Sequence, residues 1–171
     1  SPIAVAYNLS GVDSLQLSPD TLAKIFARQI TTWNDPAIAA DNPGVSLPGK
    51  AITTVARSDE SGTTENFQQY LAAVAPMVWT YTVDGNWPVK GGETAQGTSG
   101  VVGAIGSGDG TIGYADESQV GDLGVAALKV GASYQKPTAE AAAKILDESP
   151  RSDTPGKNVF TFDLKRDTAA Q

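Results

Sequence analysis

Residues 52–74 read ITTVARSDESGTTENFQQYLAAV. The first five are apolar or β-branched, which is typical of a buried strand. A polar stretch follows, and after it apolar residues recur at helical spacing: Phe67, Tyr70, Leu71 and Val74. The segment therefore predicts a strand, a short polar loop and a helix, which is the basic unit of an α/β protein.

Other strands and helices are predicted on both sides of this segment. Residues 3–8 form a short apolar run typical of a buried strand, and Ser18-Pro19 marks a helix start with Ser18 as N-cap. Pro36 opens a short helix. The remaining predicted elements are helices that begin at Thr98 or Ser99 and at Thr138, and strands at residues 111–114, 125–130 and 158–164. With neither internal repeats nor a linker, residues 1–171 are predicted to form one α/β domain.

The charge and apolar content of the chain argue against several classes of partner. Its 171 residues are 40% hydrophobic and 18% charged, with a formal net charge of −7. The sequence has no run of lysine or arginine, which argues against nucleic acid and anionic membranes as partners. No apolar stretch reaches the roughly 20 residues that span a bilayer, and the first residues lack the pattern of a signal peptide. We expect any targeting segment to have been removed already.

The chain contains neither cysteine nor histidine. Disulfides, thiolate metal sites and serine–histidine or cysteine–histidine catalysis are therefore excluded. The adjacent carboxylates at residues 116–117 and 147–148 do not share a helical face, which favours solvated surface over acid–base catalysis. Residues 109–110 and 153–156 lack the alternating oxygen ligands of a calcium loop. The sequence thus predicts no catalytic residue, metal site or cofactor.

The polar loop of the opening segment has the composition of an oxyanion receptor. The first backbone N–H groups of a helix have no partner within the helix and lie at the positive end of its dipole. Gly62 lets an anion approach the backbone, and Ser61 and Thr63 add hydroxyl groups. Arg57 presents a planar fork of donors that Asp59 can hold in place. These residue types predict a tetrahedral anion site at the start of the helix.

A purely structural interpretation accounts for the same residues. Ser61 or Thr63 would cap the helix, Gly62 would ease the turn, and Arg57 would be a solvated strand end. Because the motif is short, its spacing alone favours this structural interpretation.

The segment Arg57-Ser58-Asp59-Glu60-Ser61-Gly62-Thr63-Thr64 resembles the Arg-x-Asp-x-Ser-Gly-Thr segment of bacterial phosphate-binding proteins of the phosphate-specific ABC transporter. Further resemblances occur in the family's order at residues 22–26 (LAKIF), 30–38 (ITTWNDPAI), 42–44 (NPG), 47–48 (LP) and 110–114 (GTIGY). Together they cover most of the chain. Several motifs in the right order are far more specific than Ser-Gly-Thr alone.

This resemblance implies a fold and a role for each loop residue. Arg57, Ser61, Gly62 and Thr63 correspond to phosphate ligands of the family, and Asp59 to the partner that orients the arginine. The implied fold is one lobe of a type II periplasmic binding protein, with a central mixed sheet flanked by helices. Residues 1–171 would be the ligand-contacting second lobe, with the first lobe absent and the two chain ends close together.

The implied function is inorganic phosphate binding, as the substrate-binding component of an ABC phosphate importer, without enzymatic activity. Its partners would be phosphate, the first lobe of the same protein and the membrane permease. Its location would be extracytoplasmic, in the periplasm or at the cell surface, with a lipid anchor as one form of the full-length protein. The family's first-lobe aspartate, which accepts the proton of hydrogen phosphate, has no counterpart in this sequence. We therefore expect weak binding and reduced selectivity against sulfate.

Three other functions stay open on the sequence alone. The first is a carrier lobe for another tetrahedral oxyanion, such as sulfate, molybdate or a phosphonate. The second is a phosphate-ester enzyme that uses the anion site as a transition-state cradle. The third is an interaction module whose acidic surface meets basic permease loops. The absence of histidine and cysteine argues against the enzyme.

Overall fold

A computed structural model provides the structure of residues 2–137. The predicted helix from Thr138, the predicted strand at residues 158–164, the carboxylates at 147–148, residues 153–156 and both chain ends lie outside the described residues. The described helices are α1 (Pro19–Phe26), α2 (Pro36–Asp41), α3 (Gly62–Val74) and α4 (Gly97–Ser107). The described strands are β1 (Ile3–Asn8), β2 (Gln16–Leu17), β3 (Thr53–Arg57), β4 (Glu93–Ala95), β5 (Thr111–Asp116), β6 (Gly124–Val125), β7 (Ala127–Val130) and β8 (Ser133–Gln135). A short 3-10 helix, Glu117–Gln119, follows β5.

The larger sheet has five strands in the order β4-β3-β5-β1-β6. β3 runs parallel to β4 and β5, whereas β1 runs antiparallel to β5 and β6. The predicted α/β class and its mixed central sheet are therefore confirmed. The sequence does not predict the second sheet, in which β2, β7 and β8 lie side by side in that order.

Alternating side chains of β1 divide the core into two layers. Ile3, Val5 and Tyr7 belong to the larger hydrophobic cluster, which includes residues of α1 and α3. Ala4 and Ala6 belong to the smaller cluster, in which they meet residues of α4. Because neighbouring strand residues point to opposite faces, helices cover the sheet on both sides. This double burial explains why β1 is apolar at consecutive positions.

Aromatic rings of the larger cluster hold α1 and α3 against β5. Phe26 of α1 meets Phe67 of α3 edge-on, with 5.1 Å between ring centroids. Phe67 stacks on Tyr114 of β5 at 4.7 Å. Trp33 and Trp79 are buried in the same cluster. The position of α3 over β5 is therefore fixed by packing close to the start of the helix.

Two of the predicted elements differ from the structure. Residues 125–130 form two strands and not one, because β6 pairs with β1 while β7 pairs with β2. Helix α4 begins at Gly97, before the predicted caps Thr98 and Ser99. The N–H of Gly97 donates to the carboxylate of Asp59 at 3.2 Å, so a side chain distant in sequence satisfies the first turn.

Ser18 occupies the predicted N-cap position of α1 without acting as a side-chain cap. Its hydroxyl contacts the carboxylate of Asp41 at 2.9 Å and the hydroxyl of Thr21 at 3.0 Å. The start of α1 is thus tied to the end of α2.

Candidate functional site

The predicted loop joins the end of β3 to the start of α3. Arg57 is the last residue of β3, and Ser61 is the N-cap of α3. Ser61 has extended backbone angles, and its hydroxyl oxygen accepts the N–H of Thr64 at 3.0 Å. Ser61 therefore caps the helix, as the structural interpretation of the loop predicts. This hydrogen bond occupies a lone pair of the Ser61 oxygen and leaves the hydroxyl proton free to be donated.

Two backbone N–H groups in this first turn remain available. The N–H of Ser61 donates to the carbonyl of Gly85 at 2.9 Å, and the N–H of Thr64 is used by the cap. In the described part of the chain, the N–H groups of Gly62 and Thr63 have no such partner, as expected for the first turn of a helix. The available backbone donors in this turn are thus the N–H groups of Gly62 and Thr63.

Arg57 is held by Asp59 in a two-point ion pair. Nε of Arg57 lies 2.8 Å from Oδ1 of Asp59, and Nη2 lies 2.6 Å from Oδ2. Only 13% of the Arg57 side chain is exposed. Two of the five guanidinium N–H groups serve this pair, so three remain for another acceptor. The ion pair that the sequence predicts is confirmed.

The surroundings of Asp59 keep it ionised. Hydrogen bonds from Arg57, and then from the backbone N–H of Gly97, hold the pKa of Asp59 well below its ordinary value of 3.8. The bond to Asp59 also raises the pKa of Arg57. The pair therefore presents oriented donors with little net charge of its own.

Gly62 is a glycine that the fold does not require. It is exposed, and a Cβ atom built on it would meet nothing within 4 Å. Its φ angle is not among the positive values that favour glycine. Neither backbone conformation nor crowding within the described chain explains the absence of a side chain at this position.

Tyr114 lies directly beneath the loop, and sequence reasoning assigned it no role. Its hydroxyl accepts the backbone N–H of Arg57 at 3.0 Å and lies 2.6 Å from Oγ1 of Thr64. Burial raises the pKa of Tyr114 to about 12, so the phenol keeps its proton at neutral pH. The only signal in the sequence is its place in the GTIGY segment.

Residues 84–86 belong to a loop that packs beside Ser61, whose N–H donates to the carbonyl of Gly85. Nε2 of Gln68 donates to the carbonyls of Asp84 at 2.9 Å and Asn86 at 3.1 Å, which holds the loop against α3. A Cβ on Gly85 would lie 3.1 Å from the carbonyl oxygen of Ser61 and 2.9 Å from the side chain of Glu60. Glycine at 85 therefore allows the loop to contact the cap directly.

The other candidate sites have structural explanations. Asp116 caps the 3-10 turn through Ser118, and Asp109 pairs with Lys50 at 3.5 Å. Among residues 2–137, no group of three or more acidic side chains is placed to hold a metal ion. A groove of about 940 Å³ lies along β1 and β6, and the loop residues Arg57, Ser61, Gly62 and Thr63 are not among the residues that line it. In the part described, helices long and apolar enough for a bilayer crossing are absent.

Comparison with known proteins places this architecture in a family. Residues 1–158 match the model of the PBP superfamily domain. The chain belongs to the PBP superfamily. This PBP-superfamily chain is 46% identical over 113 residues to phosphate-binding protein PstS 3 of Mycobacterium leprae, covering 66% of the chain and 31% of that relative. It is 36% identical over 161 residues to PstS of Pasteurella multocida, covering 91% of the chain and 46% of that relative.

Solved structures give the same result for the fold. A high-affinity periplasmic phosphate-binding protein bound with phosphate superposes with a TM-score of 0.67 at 26% identity, covering 85% of this chain and 43% of that one. An ABC-type phosphate transport receptor from Vibrio cholerae superposes with a TM-score of 0.62 at 17% identity, covering 84% and 50%. This PBP-superfamily chain therefore spans about a third to a half of the length of the relatives that it matches.

Proposed function

We propose that this chain is the ligand-contacting lobe of the substrate-binding component of an ABC phosphate importer. It would bind inorganic phosphate through Arg57, Ser61, Gly62 and Thr63, with Asp59 orienting the arginine. The first lobe of the same protein would supply the other half of the cleft, and a membrane permease would receive the phosphate. The location would be extracytoplasmic, with a lipid anchor as one form of the full-length protein. The similarity to PstS proteins, each longer than this chain, supports the proposal.

The observation that carries the proposal is the combination of Gly62 with two available N–H groups. Gly62 is exposed and uncrowded at the first position of α3, and neither its N–H nor that of Thr63 has a backbone partner in the described chain. Helix N-termini with free N–H groups favour bound anions. A few residues earlier, Arg57 is already held in one orientation by Asp59. The loop is therefore prepared for an acceptor that carries several oxygens.

The donors available here match a tetrahedral anion. The two amides, the Ser61 hydroxyl proton, the Thr63 hydroxyl and three guanidinium N–H groups can all donate. Oxyanions accept such bonds more strongly than neutral ligands do, since charge-assisted bonds are about twice as strong as neutral ones. These groups donate without requiring a proton on the ligand. This half of the cleft would therefore bind phosphate and sulfate alike.

Binding by this lobe alone is expected to be weak. Half a cleft leaves the other face of the anion hydrated, where a charge pair at 4 Å contributes only about 1 kcal/mol. Several donors of that strength, less the cost of association, correspond to a dissociation constant in the millimolar range, on the order of −4 kcal/mol. Arg57 would contribute roughly 1 to 2 kcal/mol of this to a divalent anion.

A nuclear magnetic resonance titration of the 15N-labelled 171-residue chain tests the proposal. Inorganic phosphate should shift the amide signals of Gly62 and Thr63 with millimolar affinity, and sulfate should compete. Arg57→Ala should weaken binding about tenfold. Lys50→Ala removes the same charge at a residue that precedes β3 and pairs with Asp109, and this variant should bind as the parent does. Unshifted Gly62 and Thr63 signals, or equal affinity of the Arg57→Ala variant, would refute the site.

A phosphate-ester enzyme makes a different prediction. It would release phosphate from a generic aryl phosphate, whereas the binding lobe should leave the ester intact over the same concentration range. Turnover that disappears in Arg57→Ala would favour the enzyme.

A further inference from the structure

The hydroxyl of Tyr114 connects the two elements that carry the loop. One of its partners, Arg57, ends β3, and the other, Thr64, lies in the first turn of α3. Tyr114 itself belongs to β5, which pairs with β3. A single oxygen atom therefore joins three elements at the point where the candidate site begins.

The hydrogen bond from Arg57 to Tyr114 takes the place of a backbone hydrogen bond between β3 and β5. Thr53 donates its N–H to the carbonyl of Gly110, and the β3–β5 register continues to Val55 opposite Gly113. If the parallel pairing continued for two more residues, the N–H of Arg57 would donate to a backbone carbonyl of β5. The N–H instead reaches the side-chain oxygen of Tyr114, on the face where Tyr114 stacks against α3. The end of β3 is thus directed towards the helix.

The contact to Thr64 uses the remaining hydrogen-bonding capacity of the same hydroxyl. Tyr114 is 1% exposed and Thr64 is fully buried, so water does not reach either group. The Tyr114 oxygen already accepts from Arg57, and its own proton needs an acceptor within reach. Oγ1 of Thr64 lies 2.6 Å from the Tyr114 oxygen, and either hydroxyl can be the donor in this bond. Removing the hydroxyl would leave two buried polar groups without this partner.

We propose that Tyr114 is a positioning residue for the anion site. Its hydroxyl fixes the distance between Arg57 and the first turn of α3, so that the guanidinium group and the amides of Gly62 and Thr63 can bind the same anion. This inference rests on the proposed function. It assigns Tyr114 a role in anion affinity in addition to its place in the core.

Tyr114→Phe tests the inference, because it keeps the ring stack and removes the oxygen. Phosphate affinity of the 171-residue chain, measured from the Gly62 and Thr63 amide shifts, should fall about tenfold, the effect of misplacing roughly one charged hydrogen bond. Tyr7→Phe is the matched control, since the Tyr7 hydroxyl is also buried and donates to the carbonyl of Val12 at 3.1 Å. It should cost similar thermal stability and leave phosphate affinity unchanged.

Variants at Thr64 give a second readout that a general loss of stability would not produce. Thr64→Ser keeps an oxygen for Tyr114 and should retain the affinity, whereas Thr64→Val should lose it to the same extent as Tyr114→Phe. The double variant that combines Tyr114→Phe with Thr64→Val should bind no more weakly than either single variant, because both substitutions remove the same contact.

The outcomes separate this inference from the proposed function. If Arg57→Ala weakens binding about tenfold while Tyr114→Phe binds as Tyr7→Phe does, the positioning role is wrong and the phosphate site stands. If the parent chain shows no phosphate-dependent shift, the proposed function is wrong and this inference fails with it. If Tyr114→Phe does not fold, the comparison of Thr64→Ser with Thr64→Val decides: equal affinities refute the role, and loss in the valine variant alone supports it.

Discussion

Replacing Gly62 with alanine adds one methyl group at a position where the described chain leaves it room. A Cβ on Gly62 would meet nothing within 4 Å, and the residue is the first of α3. At a compatible position, glycine to alanine stabilises by about 0.4 to 1 kcal/mol, because the unfolded chain loses freedom. For a chain of this length that corresponds to a rise in melting temperature of about 2 °C. The fold alone therefore predicts a slightly more stable protein.

The effect on phosphate binding should have the opposite sign. An anion oxygen bound by the Gly62 and Thr63 amides lies about 2.9 Å from their nitrogens, and a carbon atom beside it needs about 3.3 Å or more. The added methyl would displace the anion and weaken roughly one charge-assisted hydrogen bond. Taking about 1.4 kcal/mol for that bond in a half-open site, affinity should fall about tenfold.

Gly103→Ala is the control for this experiment. Gly103 lies on the exposed side of α4, and a Cβ there also meets nothing within 4 Å. Both variants should melt higher than the parent by differential scanning calorimetry, and only Gly62→Ala should bind phosphate more weakly in the amide titration. Equal phosphate affinity of Gly62→Ala and Gly103→Ala would show that the backbone at 62 does not contact the anion.

Three further predictions concern the surroundings of the loop. Asp59→Asn should lower stability at pH 7, and in urea unfolding the deficit should begin to shrink below about pH 4, where the unfolded carboxyl takes up a proton, and should keep shrinking as the pH falls towards the strongly lowered pKa of folded Asp59. Gln68→Leu should cost about 2 to 3 kcal/mol of unfolding free energy by leaving two loop carbonyls unpaired, whereas Gln69→Leu, whose Oε1 has no partner in the described chain, should cost little. Stability should fall as pH rises from 10 to about 12, because folded Tyr114 keeps a proton that the unfolded chain releases, and Tyr114→Phe should reduce that fall in alkaline unfolding curves.

The strand, loop and helix of residues 52–74 could be predicted because their signals are local. A β-branched run marks β3, helical spacing marks α3, and Ser61 and Gly62 stand between them. The pairing of Arg57 with Asp59 is local too, since oppositely charged side chains two residues apart meet across a tight loop. Local patterns also place β1, which has the predicted limits.

Parts of the site that depend on distant contacts could not be predicted. Tyr114 meets Arg57 and Thr64 across separations of 57 and 50 residues. Gly85 reaches Ser61 from a stretch rich in turn residues that shows no periodicity. The sequence also does not show that the chain passes from one sheet to the other at Ala126. Residues 125–130 are all typical of a strand, and only the strands with which they pair differ. In each case the deciding information lies in the partner and not in the segment itself.

The interior position of β1 has a consequence for how the protein is made. Ile3 pairs with Asp116 of β5, and Tyr7 pairs with Gly124 of β6, so both neighbours of the first strand are synthesised long after it. At about 5–20 residues per second, a ribosome needs roughly 5–20 s to reach β5 after completing β1. During that interval the apolar residues of β1 are on the nascent chain before β5 and β6, the strands with which they pair, have been made. The described strands therefore cannot pair in the order in which they are synthesised, and a ribosome stalled before Asp116 would leave β1 exposed to chaperones or to neighbouring nascent chains.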